Sequence, residues 1–112
     1  MKSKRDLKKQ IRYICGDIVG ECMLIGEIST PEKQDEVAQL IVDTAVLQES
    51  TISKISFSFD KCRADFADAK AYRQARSQYY RAAFSKLHDE FNTVVRELVH
   101  RMNELAGLAK QD

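Results

Sequence analysis

The sequence predicts an all-α fold, an up-down-up bundle of three long helices, on three observations. Glycine and proline are scarce, four and one in 112 residues, so few positions break a helix. Apolar residues recur at steps of three and four along most of the chain, the period of helices buried on one face. One sharp boundary, Ile28-Ser-Thr-Pro31-Glu32, separates two such stretches. A single domain over residues 1–112 is expected, because this length supports one core. A fourth helix arises if helix two breaks near Ser50-Thr51.

Helix one begins at Ser3, with Leu7, Ile11, Ile14, Cys15, Ile18, Val19, Cys22 and Ile25 on one side for about seven turns. Ser3 with Asp6 three residues later is a weak capping box. Gly16 and Gly20 lie inside this helix, each costing about 1 kcal/mol relative to alanine. Four apart, they share a stripe that either lets another helix, of this chain or a second, approach closely or is simply tolerated. Asp17 and Glu21 interrupt the apolar run. Burial would raise their pKa values and mark a pocket, but a solvent edge or pairing with basic neighbours is the expected placement.

Helix two starts at the proline. Thr30 suits the N-cap, Pro31 the first turn, and Glu32, Asp35 and Glu36 place negative charge at the positive end of the helix dipole. Val37, Leu40, Ile41, Thr44, Ala45, Val46 and Leu47 continue in helical phase through Ile52, Ile55 and Phe59. Ser50-Thr51 and the alternating Ile55-Ser-Phe57-Ser-Phe59 are poor helix chemistry. A lone strand has no partner, so this stretch is read as a fraying helix end, with residues 60–68 as the connection.

Helix three carries the most regular pattern: Tyr80, Phe84, Leu87, Phe91, Val94, Leu98, Met102 and Leu105 hold a seam for about four heptads, and Gly107 suits a stop. A helix over residues 69–106 is about 55 Å long at 1.5 Å per residue. That exceeds the other two, so its ends need extra cover, which a homodimer would supply.

Composition excludes several classes. With 18 Lys+Arg against 17 Asp+Glu, the net charge of +1 gives no global attraction to polyanions. Asp17, Glu21 and Glu27 interrupt the apolar stretch that follows the basic N-terminus, and no stretch approaches the roughly 20 residues that span a bilayer, so a cytoplasmic protein without membrane association is expected. Three cysteines, Cys15, Cys22 and Cys62, then read as reduced thiols. Cys15 and Cys22, seven residues and about 10 Å apart along a helix, are too distant for one zinc or a disulfide and are expected in the core.

No constellation of catalytic chemistry stands out, so a non-enzymatic protein without a cofactor is expected. Glu97 and His100 form one of the two Glu-x-x-His pairs that a di-iron bundle uses, and could complete a metal site only across a dimer, with Asp17 or Glu21 supplying the remaining carboxylates. Their stripe, Glu90, Thr93, Glu97, Arg101 and Glu104, is polar throughout and points away from the seam, so a solvated face is the better account. His88, Asp89 and Glu90 fan out around a helix and cannot converge.

The best candidate binding surface is the basic and aromatic stretch from Lys70 to Lys86, with Lys70, Arg73, Arg76, Tyr79 and Arg81 as candidate partner-binding residues. Cations interleaved with tyrosines suit a nucleic-acid backbone and its bases. The simpler reading is that Tyr79 and Tyr80 cap the core while the cations pair with the acidic second helix. Charge is strongly blocked: residues 1–12 carry +5, 13–53 −7, 54–86 +5 and 87–112 −2. The acidic second helix is therefore expected beside the basic stretches.

Through Ile11-Arg-Tyr-Ile-Cys-Gly-Asp-Ile-Val-Gly-Glu-Cys22, Ser58-Phe-Asp-Lys61 and Ala71-Tyr-Arg-Gln-Ala-Arg76, the chain resembles small uncharacterised helical proteins of Bacteroidetes-type bacteria. The resemblance implies a compact helical fold and brings no activity, cofactor or site residues. The expected function is a helical interaction or structural module acting through its helix faces as a homodimer, or with another protein. The alternatives are a nucleic-acid-binding accessory protein using Lys70 to Lys86 and, behind it, a metal-binding bundle completed across a dimer.

Overall fold

The computed structural model describes residues 3–111, and side chains for residues 3–107. Met1 and Lys2 of the basic N-terminal run lie outside the described residues. Three helices form, α1 (Lys4–Glu27), α2 (Pro31–Ser53) and α3 (Ala69–Gln111), with two single 3₁₀ turns, Lys54–Ser56 and Arg63–Asp65, between the last two. The all-α bundle predicted from the periodicity is the observed fold, and no strand occurs among the described residues.

The helix starts follow the local chemistry. Ser3 Oγ accepts from the Asp6 amide at 3.1 Å, and Asp68 Oδ1 accepts from the Ala71 amide at 2.7 Å, capping α1 and α3 respectively. Thr30 holds the N-cap position of α2 but does not cap with its hydroxyl. Its Oγ1 is turned inward and has no partner, and its carbonyl instead accepts from the Lys33 and Gln34 amides, each at 3.0 Å. The Gln34 side chain also reaches back to the Gly26 carbonyl (3.3 Å) and Ser29 carbonyl (3.4 Å), closing the end of α1.

Two expected boundaries are corrected. Helix two does not break at Ser50-Thr51, so no fourth helix forms. Ser50 Oγ donates to the Leu47 carbonyl at 3.2 Å and Ser53 Oγ to the Ser50 carbonyl at 2.8 Å, while Thr51 is buried. These weak helix formers are thus satisfied within the helix. Helix three does not stop at Gly107 but continues to Gln111. Gly107 has no left-handed conformation, and the Leu-Ala-Lys-Gln sequence that follows favours helix.

The core is a single seam between the helices. Leu7, Ile11, Cys15, Ile18 and Cys22 come from α1, Val37, Leu40, Thr44 and Leu47 from α2, and Leu87, Phe91, Leu98, Met102 and Leu105 from α3. Leu7 and Ile11 lie level with Thr51 and Leu87, and Asp43 lies level with Arg101. Hence α3 runs parallel to α1 and antiparallel to α2. At 43 residues against 24 and 23, α3 is about 29 Å longer than α1 at 1.5 Å per residue, with most of the excess projecting beyond the hairpin at its N-terminal end, and the molecule is a rod of 67 × 17 × 16 Å.

The projecting part of α3 is covered by its own chain. After α2 the Lys54–Ser56 3₁₀ turn buries Ile55, and at Phe57 the backbone becomes extended, leaving Phe57 and Phe59 half-buried and Ser58 between them exposed. The Phe57 ring lies 5.1 Å from Phe84, Phe59 lies 5.5 Å from Tyr79, and Phe66 lies 5.7 Å from Tyr72. Lys4 ties α1 to this cluster, donating to the Phe57 carbonyl and sitting 5.1 Å above its ring. Helix two thus frays through a 3₁₀ turn into a loop, as expected, and that loop is an aromatic ribbon laid along α3. The surplus seam is not itself the reason for a dimer.

Candidate interaction surfaces

The basic stretch folds into two layers. Lys70, Arg73, Arg76 and Arg81 are exposed, and none forms an ion pair among the described residues. Arg76 stacks its guanidinium 5.0 Å from the Tyr80 ring centre. Tyr79 turns inward, within 5.3 Å of Tyr80 and 6.5 Å of Phe57, so it holds the ribbon and does not share an exposed face with the cations. The tyrosines do cover apolar structure, as the simpler reading had it.

The cations do not pair with the acidic part of helix two, and topology explains why. Parallel packing of α1 and α3 brings both basic N-terminal stretches to one end, and the antiparallel α2 carries Glu32, Asp35 and Glu36 to the other, beside Glu27. Residues 3–12 and 49–90 hold thirteen Lys/Arg against seven Asp/Glu, net +6, whereas 13–48 and 91–107 hold three against nine, net −6. Near-neutrality overall is a rod with oppositely charged ends.

Two bridges tie α3 to α2 and to the 3₁₀ turn that follows it. Arg101 Nη1 donates to Asp43 Oδ2 at 2.9 Å, and Lys54 lies 3.9 Å from Glu90. Asp43 also accepts from Gln39 Nε2 at 2.8 Å. The Gln39 hydrogen bond first, and then Arg101, hold its carboxyl below the usual aspartate range.

Between α1 and α3, where the hairpin ends, lies a cleft of about 530 Å³ lined by Leu7, Gln10, Ser77, Arg81, Phe84, Ser85 and His88. Its apolar floor and one guanidinium suit a small amphiphile with an anionic head. Ser77, Ser85 and His88 are its uncharged polar groups besides Gln10, and His88 Nδ1 lies 3.0 Å from Asn92 Nδ2. Sequence reasoning missed this cleft because its lining comes from two helices whose relative level is set only by packing.

No family model matches the chain, and no curated protein or solved structure does. The remaining candidates are therefore judged on geometry alone. Glu97 is exposed, and His100 Nε2 lies 3.0 Å from Glu104 Oε1 on the same solvated stripe. Among the described residues no group of three or more His, Cys, Asp or Glu is placed to hold a metal ion, and no helix is long and apolar enough to cross a membrane.

Cys15 and Cys22 are buried core residues and Cys62 is exposed. Burial pushes both core thiols up, and at Cys22 the adjacent Glu21 adds to the rise while Arg101 opposes it. Asp17 and Glu21 are both exposed, which places them at the expected solvent edge.

The glycine stripe faces away from the bundle. A Cβ at Gly16 or Gly20 would meet nothing within 4 Å, so the two glycines make no close contact within this chain. Around them, Tyr13, Met23 and Leu24 are 63, 59 and 63% exposed. The sequence signal for this face was present: Lys9, Tyr13, Gly16, Gly20, Met23 and Glu27 repeat the four-and-three step of the core seam, two residues later and so on the opposite side of α1.

Proposed function

We propose that this protein is a non-enzymatic helical interaction module that works as a homodimer through its helix faces. The observation that carries this is the apolar outer surface of the hairpin. The six large hydrophobic side chains that stand exposed among the described residues, Tyr13, Met23, Leu24, Ile28, Val42 and Val46, all belong to α1, its C-cap and α2. Large exposed apolar side chains gathered on one part of a charged molecule support a contact site there. Sedimentation equilibrium tests it: a mass rising with concentration from 12.8 kDa toward twice that value is expected. A constant monomer mass up to about 200 μM, where even a weak dimer of about −5 kcal/mol would form, overturns the reading.

The unpaired cations Lys70, Arg73, Arg76 and Arg81 favour a second reading, contact with a polyanion backbone. With Tyr72, Tyr79 and Tyr80 committed to the aromatic ribbon, such binding would read phosphate and not base identity. Titration against labelled single- and double-stranded DNA and RNA is expected to give salt-sensitive, sequence-independent binding. Absence of binding at low salt removes this reading.

A further inference from the structure

The exposed face of α1 that carries Tyr13 and Met23 is self-complementary when two copies lie antiparallel. We propose that it pairs with the same face of a second copy of this chain, antiparallel, about a two-fold axis level with Ile18. This rests on the homodimer reading above and names its surface and geometry.

Three observations converge on it. The first is the row Lys9, Tyr13, Gly16, Gly20, Met23 and Glu27, every member of which is exposed. Turned end for end about residue 18, this row sets Lys9 against Glu27 of the second copy, Tyr13 against Met23 and Gly16 against Gly20. A basic end residue meets an acidic one, an aromatic ring meets a thioether, and the absent side chains coincide at the centre. In heptad terms each layer joins an a position to a d position, as antiparallel helix pairs require. The open space at both glycines lets the backbones approach to the short end of the usual 8–10 Å separation.

Second, the charges beside this row favour the same orientation. Residues 3–12 carry five basic side chains and one acidic, whereas the rest of α1, residues 13–27, carries three acidic side chains and no basic one. Antiparallel pairing lays each basic half on the other copy's acidic half. Parallel pairing would oppose Lys9 to Lys9 and Glu27 to Glu27. Asp17 of each copy flanks the axis, a like-charge contact that the two Lys9–Glu27 pairs outweigh.

Third, the competing apolar strip fails the same comparison. On α2 the outward row Asp35, Ala38, Val42, Val46 and Glu49 has an acid at both ends, so its antiparallel self-pairing would bring Asp35 against Glu49. The α1 row is about 27 Å long at 1.5 Å per residue, a small contact of the transient class, below the about 1,200 Å² of stable complexes.

The test is charge reversal read by sedimentation equilibrium at several concentrations. Lys9→Glu and Glu27→Lys are each expected to weaken association about tenfold or more, because each change converts two attractive pairs per dimer into repulsive ones. The double variant Lys9→Glu with Glu27→Lys is expected to recover wild-type association. Both positions are exposed, and circular dichroism checks that every variant keeps the wild-type helix content. A wild-type dimer unaffected by the single reversals, or a double variant that stays monomeric while folded, overturns this surface and leaves the homodimer reading standing. A wild-type chain that never exceeds monomer mass overturns both.

Discussion

At the scale of single residues, the side chains with perturbed chemistry are the core thiols and Asp43. Cys15 and Cys22 combine burial with raised pKa values, whereas Cys62 stands exposed beside Asp65. A thiol reagent should therefore label one cysteine rapidly in the folded protein and all three in denaturant, and rapid labelling of three would contradict the packing. Asp43 titrates below its unfolded value of about 3.9, so its contribution to stability is present above that value and lost as pH falls through the lower folded value. Comparing wild type with Asp43→Asn by urea unfolding should show an advantage of about 0–1 kcal/mol at pH 6 that vanishes near pH 2, the small size following from the exposure of the pair. Individual residues were legible in sequence where the chemistry is local: Ser3 and Pro31 mark helix starts because the backbone groups they serve lie within one turn. Thr30 was legible as a position but not as a bond, because whether its hydroxyl turns out or in depends on the packed turn around it.

At the scale of elements, α3 was readable in its start and its seam, and misread in its end. Gly107 is an ordinary stop signal, yet the helix runs through it without any left-handed residue. A Cβ at this position would meet nothing within 4 Å, so Gly107→Ala should raise stability by up to about 1 kcal/mol, less to the extent that the last turns fray, with a matching rise in Tm. The aromatic ribbon was half legible. Its alternation of Phe and Ser was visible, but the expected consequence was a frayed helix, because the surface that gives such alternation a purpose belongs to a helix twenty residues further on. Removing one ring tests the assignment. Phe59 packs against Phe66, Tyr72 and Tyr79, and Phe59→Ala should cost about 1–3 kcal/mol, below the range for a fully buried ring. The projecting half of α3 should then lose amide-exchange protection while residues around Leu98 keep theirs. Uniform loss along α3 would mean that the ribbon is not a separate layer.

At the scale of the whole molecule, length and charge set the behaviour. The radius of gyration is 19.3 Å, against about 13 Å for a compact chain of this size, and the accessible surface of 7737 Å² exceeds by about a quarter what its mass leads one to expect. Small-angle scattering of the Lys9→Glu variant should return a maximum dimension near 67 Å, and a value near that of a sphere would contradict the projecting helix. The blocks of charge were plain in the sequence, but their arrangement was not, because it follows from α1 and α3 running parallel, which no local pattern encodes. That arrangement makes the molecule a macroscopic dipole. The N-termini of α1 and α3, already positive by their peptide dipoles, carry the basic side chains as well, and Asp6 and Asp68 offset them only in part. The moment should therefore exceed several-fold that of the longest helix. Dielectric relaxation at low ionic strength would register it as a large concentration-dependent increment, which should fall when two molecules associate side by side in opposite directions and their moments cancel.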